Sequence, residues 1–215
     1  MTKKNIDYWE SLLKNIPEAY KKSLDKEEDY LVKNIKKDSK VLEIGCGGGR
    51  SLKSLLPIAK NLVGIDHDKT AVALAKGKFK DIPEIKILLQ NAKNLNFDDN
   101  SFDYVICMIS FSNFGKDKFK ILEEMKRVVK KDGFIIISVF SENAFEERMK
   151  VYKDYNAPIK EIKGTTVIFE DSLGDGDNIS EQFSKEELKS IFSKADLKVI
   201  EIKNIGILNI CKLSK

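Results

Sequence analysis

Short apolar runs alternate with longer amphipathic segments along most of the chain. The short runs are rich in β-branched and aromatic residues and are apolar at consecutive positions, which is typical of strands buried on both faces. They cover residues 40–44, 61–65, 85–89, 102–108 and 134–139. This alternation predicts a parallel sheet with helices on both of its faces.

An amphipathic helix is predicted between the fourth and fifth of these runs. Apolar residues recur there at spacings of three and four, at Phe119, Leu122, Met125 and Val129. Gly133 follows two basic residues, and this order is typical of a helix end. We therefore expect the helix to stop at Gly133 and the fifth strand to begin after it.

The last part of the chain predicts one more helix and a hairpin. Ser184 and Glu187 have the spacing of a capping box at a helix start. Two strand candidates follow, at residues 197–202 and 207–213, close enough to pair with each other. The expected fold class is thus α/β: a doubly wound, mostly parallel seven-stranded sheet with an antiparallel C-terminal strand, flanked by helices.

Charge and composition narrow the classes of partner. Lys and Arg number 38 against 34 for Asp and Glu, and the net charge of +4 is spread along the chain. Bidentate guanidinium contacts to phosphate or guanine are scarce, because the arginines are Arg50, Arg127 and Arg148 alone. These features favour a small-molecule partner over nucleic acid.

The chain also shows no sign of export or of membrane insertion. No apolar run approaches the ~20 residues that cross a bilayer, and the first residues lack the apolar stretch of a secretory signal. The cysteines, Cys46, Cys107 and Cys211, are far apart and odd in number, which favours reduced thiols. The expected location is the cytoplasm.

The low histidine content and the cysteine spacing exclude several classes of catalytic site. His67 is the single histidine, so a histidine-rich zinc site is excluded, and a Ser-His-Asp hydrolase would have to use that residue. No Cys-x-x-Cys is present either. We expect no metal ion in the site.

The strongest local signal is a glycine cluster directly after the first strand. Gly45, Gly47 and Gly49 alternate with other residues before a helical pattern begins. Glycines let a ligand approach the backbone closely, and the free amides of a helix start favour an anionic group. The acid Asp66 stands 21 residues after Gly45, at the end of the second strand, where it can accept both hydroxyl hydrogens of a ribose. A nucleoside ligand is predicted.

The spacing of the glycines distinguishes two classes of nucleoside-binding protein. It is Gly-x-Gly-x-Gly, with Glu43 two residues before it, and not the Gly-x-Gly-x-x-Gly of dinucleotide-binding proteins. From Glu43 to Gly49, and over residues 40–139 as a whole, the chain resembles the class I S-adenosylmethionine-dependent methyltransferases. Residues 97–103 and 124–133 are similar to later motifs of that family. The resemblance implies a Rossmann-like methyltransferase fold and S-adenosylmethionine (SAM) as cofactor.

The same resemblance implies which residues form the cofactor site. Asp66 corresponds to the ribose-binding acid, and residues 90–92 correspond to the segment that meets the adenine. The implied cofactor residues are Glu43, Gly45, Cys46, Gly47, Asp66, His67, Asn91, Ala92 and Met108. Two alternatives stay open: Cys46 as a packing residue of the core, and His67 as a surface residue at the start of the next helix.

The function expected from this resemblance is methyl transfer from SAM to a small molecule through a nitrogen, oxygen or sulfur nucleophile. Ser112 or Asn113, after the fourth strand, are candidates to orient the acceptor, and no general base is evident. The alternatives are an RNA or protein methyltransferase, an NAD-dependent oxidoreductase and a non-catalytic nucleoside-binding protein. The sequence leaves the oligomeric state open.

No repeat or Pro- or Gly-rich linker divides the chain, so we expect a single domain over residues 1–215. Within it we expect an N-terminal helical cap at 1–39 and a cofactor-binding core at 40–139. An irregular segment at 140–183, called the lid below, should cover the acceptor. The final helix and hairpin should occupy 184–215.

Overall fold

The computed structural model describes residues 16–170 and 178–215. The strands, in chain order, are β1 (Lys40–Ile44), β2 (Asn61–Asp66), β3 (Ile85–Leu89), β4 (Phe102–Met108), β5 (Val129–Phe140), β6 (Ile159–Lys163), β7 (Thr166–Phe169), β8 (Ile179–Ser180), β9 (Lys198–Asn204) and β10 (Leu208–Ser214). The α-helices are α1 (Glu18–Asn34), α2 (Arg50–Leu55), α3 (Lys69–Lys78), α4 (Lys118–Val128), α5 (Phe145–Asp154) and α6 (Lys185–Lys194). Two short 3₁₀ helices lie between β4 and α4, at Ser110–Asn113 and Gly115–Asp117.

Seven of the described strands form one sheet in the order β3-β2-β1-β4-β5-β10-β9. Strands β1 to β5 run parallel, and β10 pairs antiparallel with both β5 and β9. The predicted α/β fold with an antiparallel C-terminal strand is confirmed. Because the chain order reverses between β1 and β4, the carboxyl ends of these two strands flank a crevice of the kind that holds ligands in open α/β sheets.

The junction between α4 and β5 differs from the prediction. The helix ends at Val128, and β5 already begins at Val129, so Gly133 is not a helix stop but lies inside the strand. A Cβ atom at Gly133 would stand 2.5 Å from the Asp103 carbonyl oxygen, so this glycine permits a close approach to β4. Phe119, expected on the buried stripe of the helix, is 39% exposed.

The lid is more regular than the sequence suggested. It contains α5 and a second, three-stranded antiparallel sheet in the order β6-β7-β8, while residues 171–177 lie outside the described part of the chain. Tyr152 and Phe169 pack edge-to-face at 5.2 Å in a small apolar cluster of the lid's own. The lid is therefore a small folded unit set after the carboxyl end of β5.

At both ends of the described chain the structure has the helices and the hairpin that the sequence predicts. Helix α1 lies within the expected helical cap, of which residues 1–15 are outside the described part. Ser184 caps α6, and the reciprocal bonds of its capping box with Glu187 are present. Strands β9 and β10 form the expected hairpin.

Apolar side chains fill both faces of the main sheet. One layer, beneath α1 and α2, includes Val41, Ile106 and Ile136, and the other, beneath α4 and α6, includes Leu42 and Val105. Among residues 16–170 and 178–215, no helix has the length and apolar character to cross a membrane.

Candidate active site

The glycine loop joins β1 to α2 at the carboxyl edge of the sheet. Gly45, Gly47 and Gly49 all have left-handed backbones, with φ of 69°, 48° and 75°. The amides of Gly45 and Cys46 both donate to the Ile65 carbonyl at 2.9 Å, which fixes the loop against the end of β2. Only glycine adopts these angles three times in so short a span without strain, which is why the sequence repeats it.

The three glycines meet different surroundings. A Cβ atom at Gly45 would stand 2.6 Å from Ser110 Oγ, and one at Gly49 would stand 2.3 Å from the Phe79 ring. A Cβ atom at Gly47 would find no atom within 4 Å. Gly45 and Gly49 thus serve the packing of the loop, whereas Gly47 borders open space at the place where a ligand would lie.

Asp66 ends β2 beside this space. Its Oδ2 accepts the Gly47 amide at 2.9 Å, and its Oδ1 accepts the Asp68 amide at 3.0 Å. Its side chain is 11% exposed. Each carboxylate oxygen keeps a further acceptor position, so the pair can still receive two hydroxyl groups.

His67 follows Asp66 but points outward, with 61% of its side chain exposed. The next residue, Asp68, is the N-cap of α3 and accepts the amides of Thr70 and Ala71. His67 therefore has the position expected of a surface residue before a helix. Its role toward a cofactor stays a prediction.

Glu43 lies on β1, two residues before Gly45, and is almost fully buried. Its Oε2 has no hydrogen-bond partner among the described residues. Burial raises the pKa of this carboxyl to about 8, although Arg50 and a hydrogen bond with Ser51 act against the shift. A buried acceptor without a donor is costly, which indicates that a donor group is meant to reach it.

This carboxyl makes the stability of the ligand-free protein depend on pH. A raised folded-state pKa means that the folded protein holds the proton more tightly than the unfolded chain, so stability falls as the pH rises from about 4.5 toward 8. We expect Glu43→Gln to flatten that part of the stability profile. Urea unfolding of both proteins across this range measures it, and two parallel profiles would contradict the prediction.

Asn91 and Ala92 follow β3, the neighbour of β2 in the sheet. Leu89, the last residue of β3, is in register with Asp66, so Asn91 and Ala92 lie beside this candidate ribose-binding residue. Asn91 is exposed, and its Oδ1 accepts the Lys93 amide at 2.9 Å. Ala92 is half-buried and packs on the layer beneath α4. Because the side-chain oxygen of Asn91 is used within this turn, its side-chain amide nitrogen is the group available to another partner.

Cys46 and Met108 are buried, at 6% and 5% exposure. Burial raises the pKa of the Cys46 thiol, with the Glu43 and Asp66 carboxylates adding to the shift. A neutral, buried thiol packs as an apolar group and is a poor nucleophile. A part for Cys46 and Met108 in holding a cofactor stays a prediction.

The two acceptor candidates occupy different environments. Ser112 is fully buried, and its Oγ lies 3.4 Å from the Phe140 amide that donates to it. Asn113, the next residue, is exposed. The structure therefore does not bring both side chains to one surface, and Asn113 is the one open to a ligand.

Three polar groups around the crevice were not singled out by the sequence as candidate residues. Ser110 donates to the Gly45 carbonyl at 2.9 Å, and Ser138 on β5 accepts the Ile109 amide at 2.9 Å. Glu27 on α1 is fully buried and bonds to Ser138. A signal for Glu27 existed, because it stands three residues after Leu24 and four before Leu31, on the apolar face of the helix.

These features fit the adenosyl cofactor that the sequence implied. Gly47 leaves room for it, Asp66 offers two acceptor positions, and the free oxygen of Glu43 can accept from an amino group. Among the described residues no group of three or more His, Cys, Asp and Glu side chains is arranged to hold a metal ion.

Comparisons with known proteins agree with this geometry. Residues 42–137 match a family model described as a methyltransferase domain. The chain is 28% identical over 178 residues to a demethylmenaquinone methyltransferase of Staphylococcus saprophyticus, covering 80% of this chain and 75% of that protein. In fold it is similar to a SAM-dependent methyltransferase of Methanosarcina mazei, with a TM-score of 0.65 and 22% identity, covering 86% of this chain and 96% of the other. A protein of Pyrococcus horikoshii gives a TM-score of 0.71 at 22% identity, over 92% of each chain.

The fold and the glycine loop are those of an α/β enzyme with a Rossmann-like sheet, and the candidate site lies at the carboxyl edge of that sheet. The methyltransferase match runs from residue 42 in β1 to residue 137 in β5, and it includes the glycine loop and Asp66. Residues 42–137 form a methyltransferase domain, and the fold is that of the class I SAM-dependent methyltransferases.

Proposed function

We propose that the protein binds SAM in the crevice at Gly47 and transfers its methyl group to a small-molecule acceptor. The observation that carries the proposal is the meeting, at one sheet edge, of an open left-handed glycine, the Asp66 carboxylate and the free oxygen of Glu43. A small acceptor is supported by the relatives named as demethylmenaquinone methyltransferases.

The order of the strands gives the expected orientation of the cofactor. Asp66 and Asn91 follow β2 and β3, so the nucleoside should lie over that side of the sheet. The amino-acid end should then extend across β1 toward β4, where Glu43 and Ser110 lie. The methyl group would face the turn after β4 and the lid.

Bound SAM supplies a methyl group on a sulfonium, which leaves as a neutral sulfur. The protein then needs mainly to align the acceptor and to keep water away, and such alignment can account for about 7 to 11 kcal/mol of a barrier. No dedicated base is required for an amine or an ionised oxygen or sulfur. We propose that Asn113, exposed after β4, orients the acceptor, and that the buried Ser112 hydroxyl supports the Phe140 backbone beside it.

The test is a screen of metabolites for methyl transfer from labelled SAM. We expect turnover of a small acceptor that changes little between about 50 and 200 mM salt, because no phosphate backbone has to be bound. Binding of RNA through several phosphates would weaken steeply over that range. Salt-sensitive methylation of bulk RNA, with none of small molecules, would support the nucleic-acid alternative instead.

Two controls separate the remaining alternatives. Calorimetric titration with S-adenosylhomocysteine (SAH) and with NAD distinguishes a methyltransferase from an oxidoreductase. Binding of SAH without turnover of any small molecule, RNA or protein would favour a non-catalytic nucleoside-binding protein.

The lid is proposed to close over the acceptor. Lys118 binds Glu181 at 2.8 Å and the Glu181 amide donates to the Ser112 carbonyl, so the end of the lid already touches the turn after β4. We expect α5, β6 and β7 to gain protection from hydrogen exchange when SAH and an acceptor bind. Equal and complete protection of these elements with and without ligands would contradict closure.

We propose a cytoplasmic location for the protein. Cys46, Cys107 and Cys211 are all free and buried, which is the usual state of cysteines in a reducing compartment.

A further inference from the structure

Helix α1 carries a carboxylate into the interior of the protein. The buried face of α1 includes Tyr20, Leu24 and Leu31, and Glu27 lies among them with none of its surface exposed. A fully buried carboxylate is costly unless it is paired and hydrogen-bonded. An apolar residue would suit this position of an amphipathic helix better, so the partners of Glu27 explain its presence.

The first partner of Glu27 is Arg50. Glu27 Oε2 accepts from one terminal nitrogen of the guanidinium, and Glu28 Oε1 accepts from the other at 2.9 Å. Arg50 is the first residue of α2 and directly follows the glycine loop. The position of α1 is therefore coupled to the position of the loop.

The second partner of Glu27 is Ser138 on β5. The Ser138 hydroxyl donates to Glu27 Oε1 and accepts the Ile109 amide at 2.9 Å. Ile109 begins the turn after β4 and has a left-handed φ of 66°, which is costly for a β-branched residue. A turn with this strain needs its surroundings to hold it, and Ser138 is one of the groups that do so.

The segments that Glu27 reaches through Arg50 and through Ser138 lie on opposite sides of the crevice. Arg50 follows the loop of β1, and Ile109 follows β4, the adjacent strand. Ser110 closes the arrangement, because its hydroxyl donates to the Gly45 carbonyl across the same gap. The Glu27 carboxylate is thus linked to both the glycine loop and the turn after β4. These two segments border the place proposed for the amino-acid end of the cofactor, on the side away from the nucleoside.

We propose that Glu27 is a positioning residue of the cofactor site, through which α1 holds the glycine loop and the turn after β4 in the arrangement that receives the amino-acid part of SAM. The inference rests on the proposed SAM binding and adds to it the N-terminal helix as a component of the site. Glu27 acts through Arg50 and Ser138 and touches no substrate itself.

The test compares two ligands that share a nucleoside. SAH carries the amino-acid part, whereas adenosine ends before it. In calorimetric titrations we expect Glu27→Gln to weaken SAH about tenfold, as for the loss of a buried charge-assisted hydrogen bond, and to leave adenosine within about twofold of wild type. A general loss of structure would lower both affinities, so the ratio of the two separates positioning from mere stabilisation.

Glu28→Gln is the matched control. Glu28 is the neighbouring acid on the same arginine, but its side chain is 35% exposed, so we expect its SAH affinity to stay within about twofold of wild type. Ser138→Ala removes the hydroxyl that joins Glu27 to the Ile109 amide, while the bond from that amide to the Ser138 carbonyl at 3.0 Å and the pair of Glu27 with Arg50 remain. We expect it to weaken SAH about threefold and to spare adenosine, and this variant decides the matter should Glu27→Gln fail to fold.

The inference is overturned if Glu27→Gln folds and binds SAH like wild type, if SAH and adenosine weaken together, or if Glu28→Gln has the same effect. Should Glu27→Gln not fold, unchanged SAH binding by Ser138→Ala overturns it. A wild-type protein that binds no SAH would overturn the proposed function and this inference with it.

Discussion

Replacing Asp66 with alanine should weaken SAH binding by about tenfold to a hundredfold. The two ribose hydroxyls would lose the charged acceptor that they share, and we expect this loss to cost about 1.5 to 3 kcal/mol in total. The change also removes the acceptor of the Gly47 amide, which bonds to Asp66 at 2.9 Å, so the glycine loop loses one of its anchors. Calorimetric titration of the folded variant measures the effect.

Asp68→Ala is the control for this prediction. Asp68 is two residues away and caps α3 through the amides of Thr70 and Ala71, so its loss should lower the unfolding free energy by about 1 kcal/mol. The ligand affinity should stay near the wild-type value. An Asp66→Ala protein with unchanged affinity for SAH would remove Asp66 from the cofactor site.

The second large effect is expected at Gly49. Gly49 has a left-handed φ of 75°, which is strained for alanine. The added Cβ atom would stand 2.3 Å from the ring of Phe79, which is buried and cannot move aside without disturbing the core. Backbone strain and overpacking together should lower the unfolding free energy by about 2 to 4 kcal/mol. Denaturant unfolding without ligand tests this.

Gly47→Ala separates strain from ligand contact. Its φ is 48° but no atom lies within 4 Å of the added Cβ, so we expect a stability loss of only about 1 kcal/mol. The same methyl group would extend into the space proposed for the cofactor and should reduce SAH affinity strongly. A Gly49→Ala protein no less stable than Gly47→Ala would refute the packing argument, and full SAH affinity in Gly47→Ala would refute the placement of the ligand.

Local signals with a simple physical cause predicted most of the fold. The apolar runs of β1 to β4 have nearly the predicted bounds, since strands buried on both faces need continuous apolar residues. The capping box at Ser184 is present because it satisfies free amides within one turn of helix. The glycine loop was found in the same way, from residues that only a tight left-handed turn requires.

Long-range contacts account for what the sequence did not predict. Gly133 is a helix-stop signal by itself, but its close approach to the Asp103 carbonyl is set by β4, so the chain is extended already at Val129. The burial of Ser112 likewise depends on Phe140, a residue far along the chain. Glu27 is the strongest case, because a charged residue on a helix usually faces solvent and its partners stand 23 and 111 positions away.

The docking of α1 has a consequence for the order of events during synthesis. Tyr30 donates to Glu201 on β9 at 2.6 Å, and the Ile207 amide donates to Ser23 at 3.2 Å, so this early helix rests on the late hairpin. Domains form as the chain leaves the ribosome, at about 5 to 20 residues per second. Helix α1 can form these two contacts only after β9 and β10 have been synthesised. We therefore expect the nascent chain to reach full affinity for its ligand only after these two strands emerge.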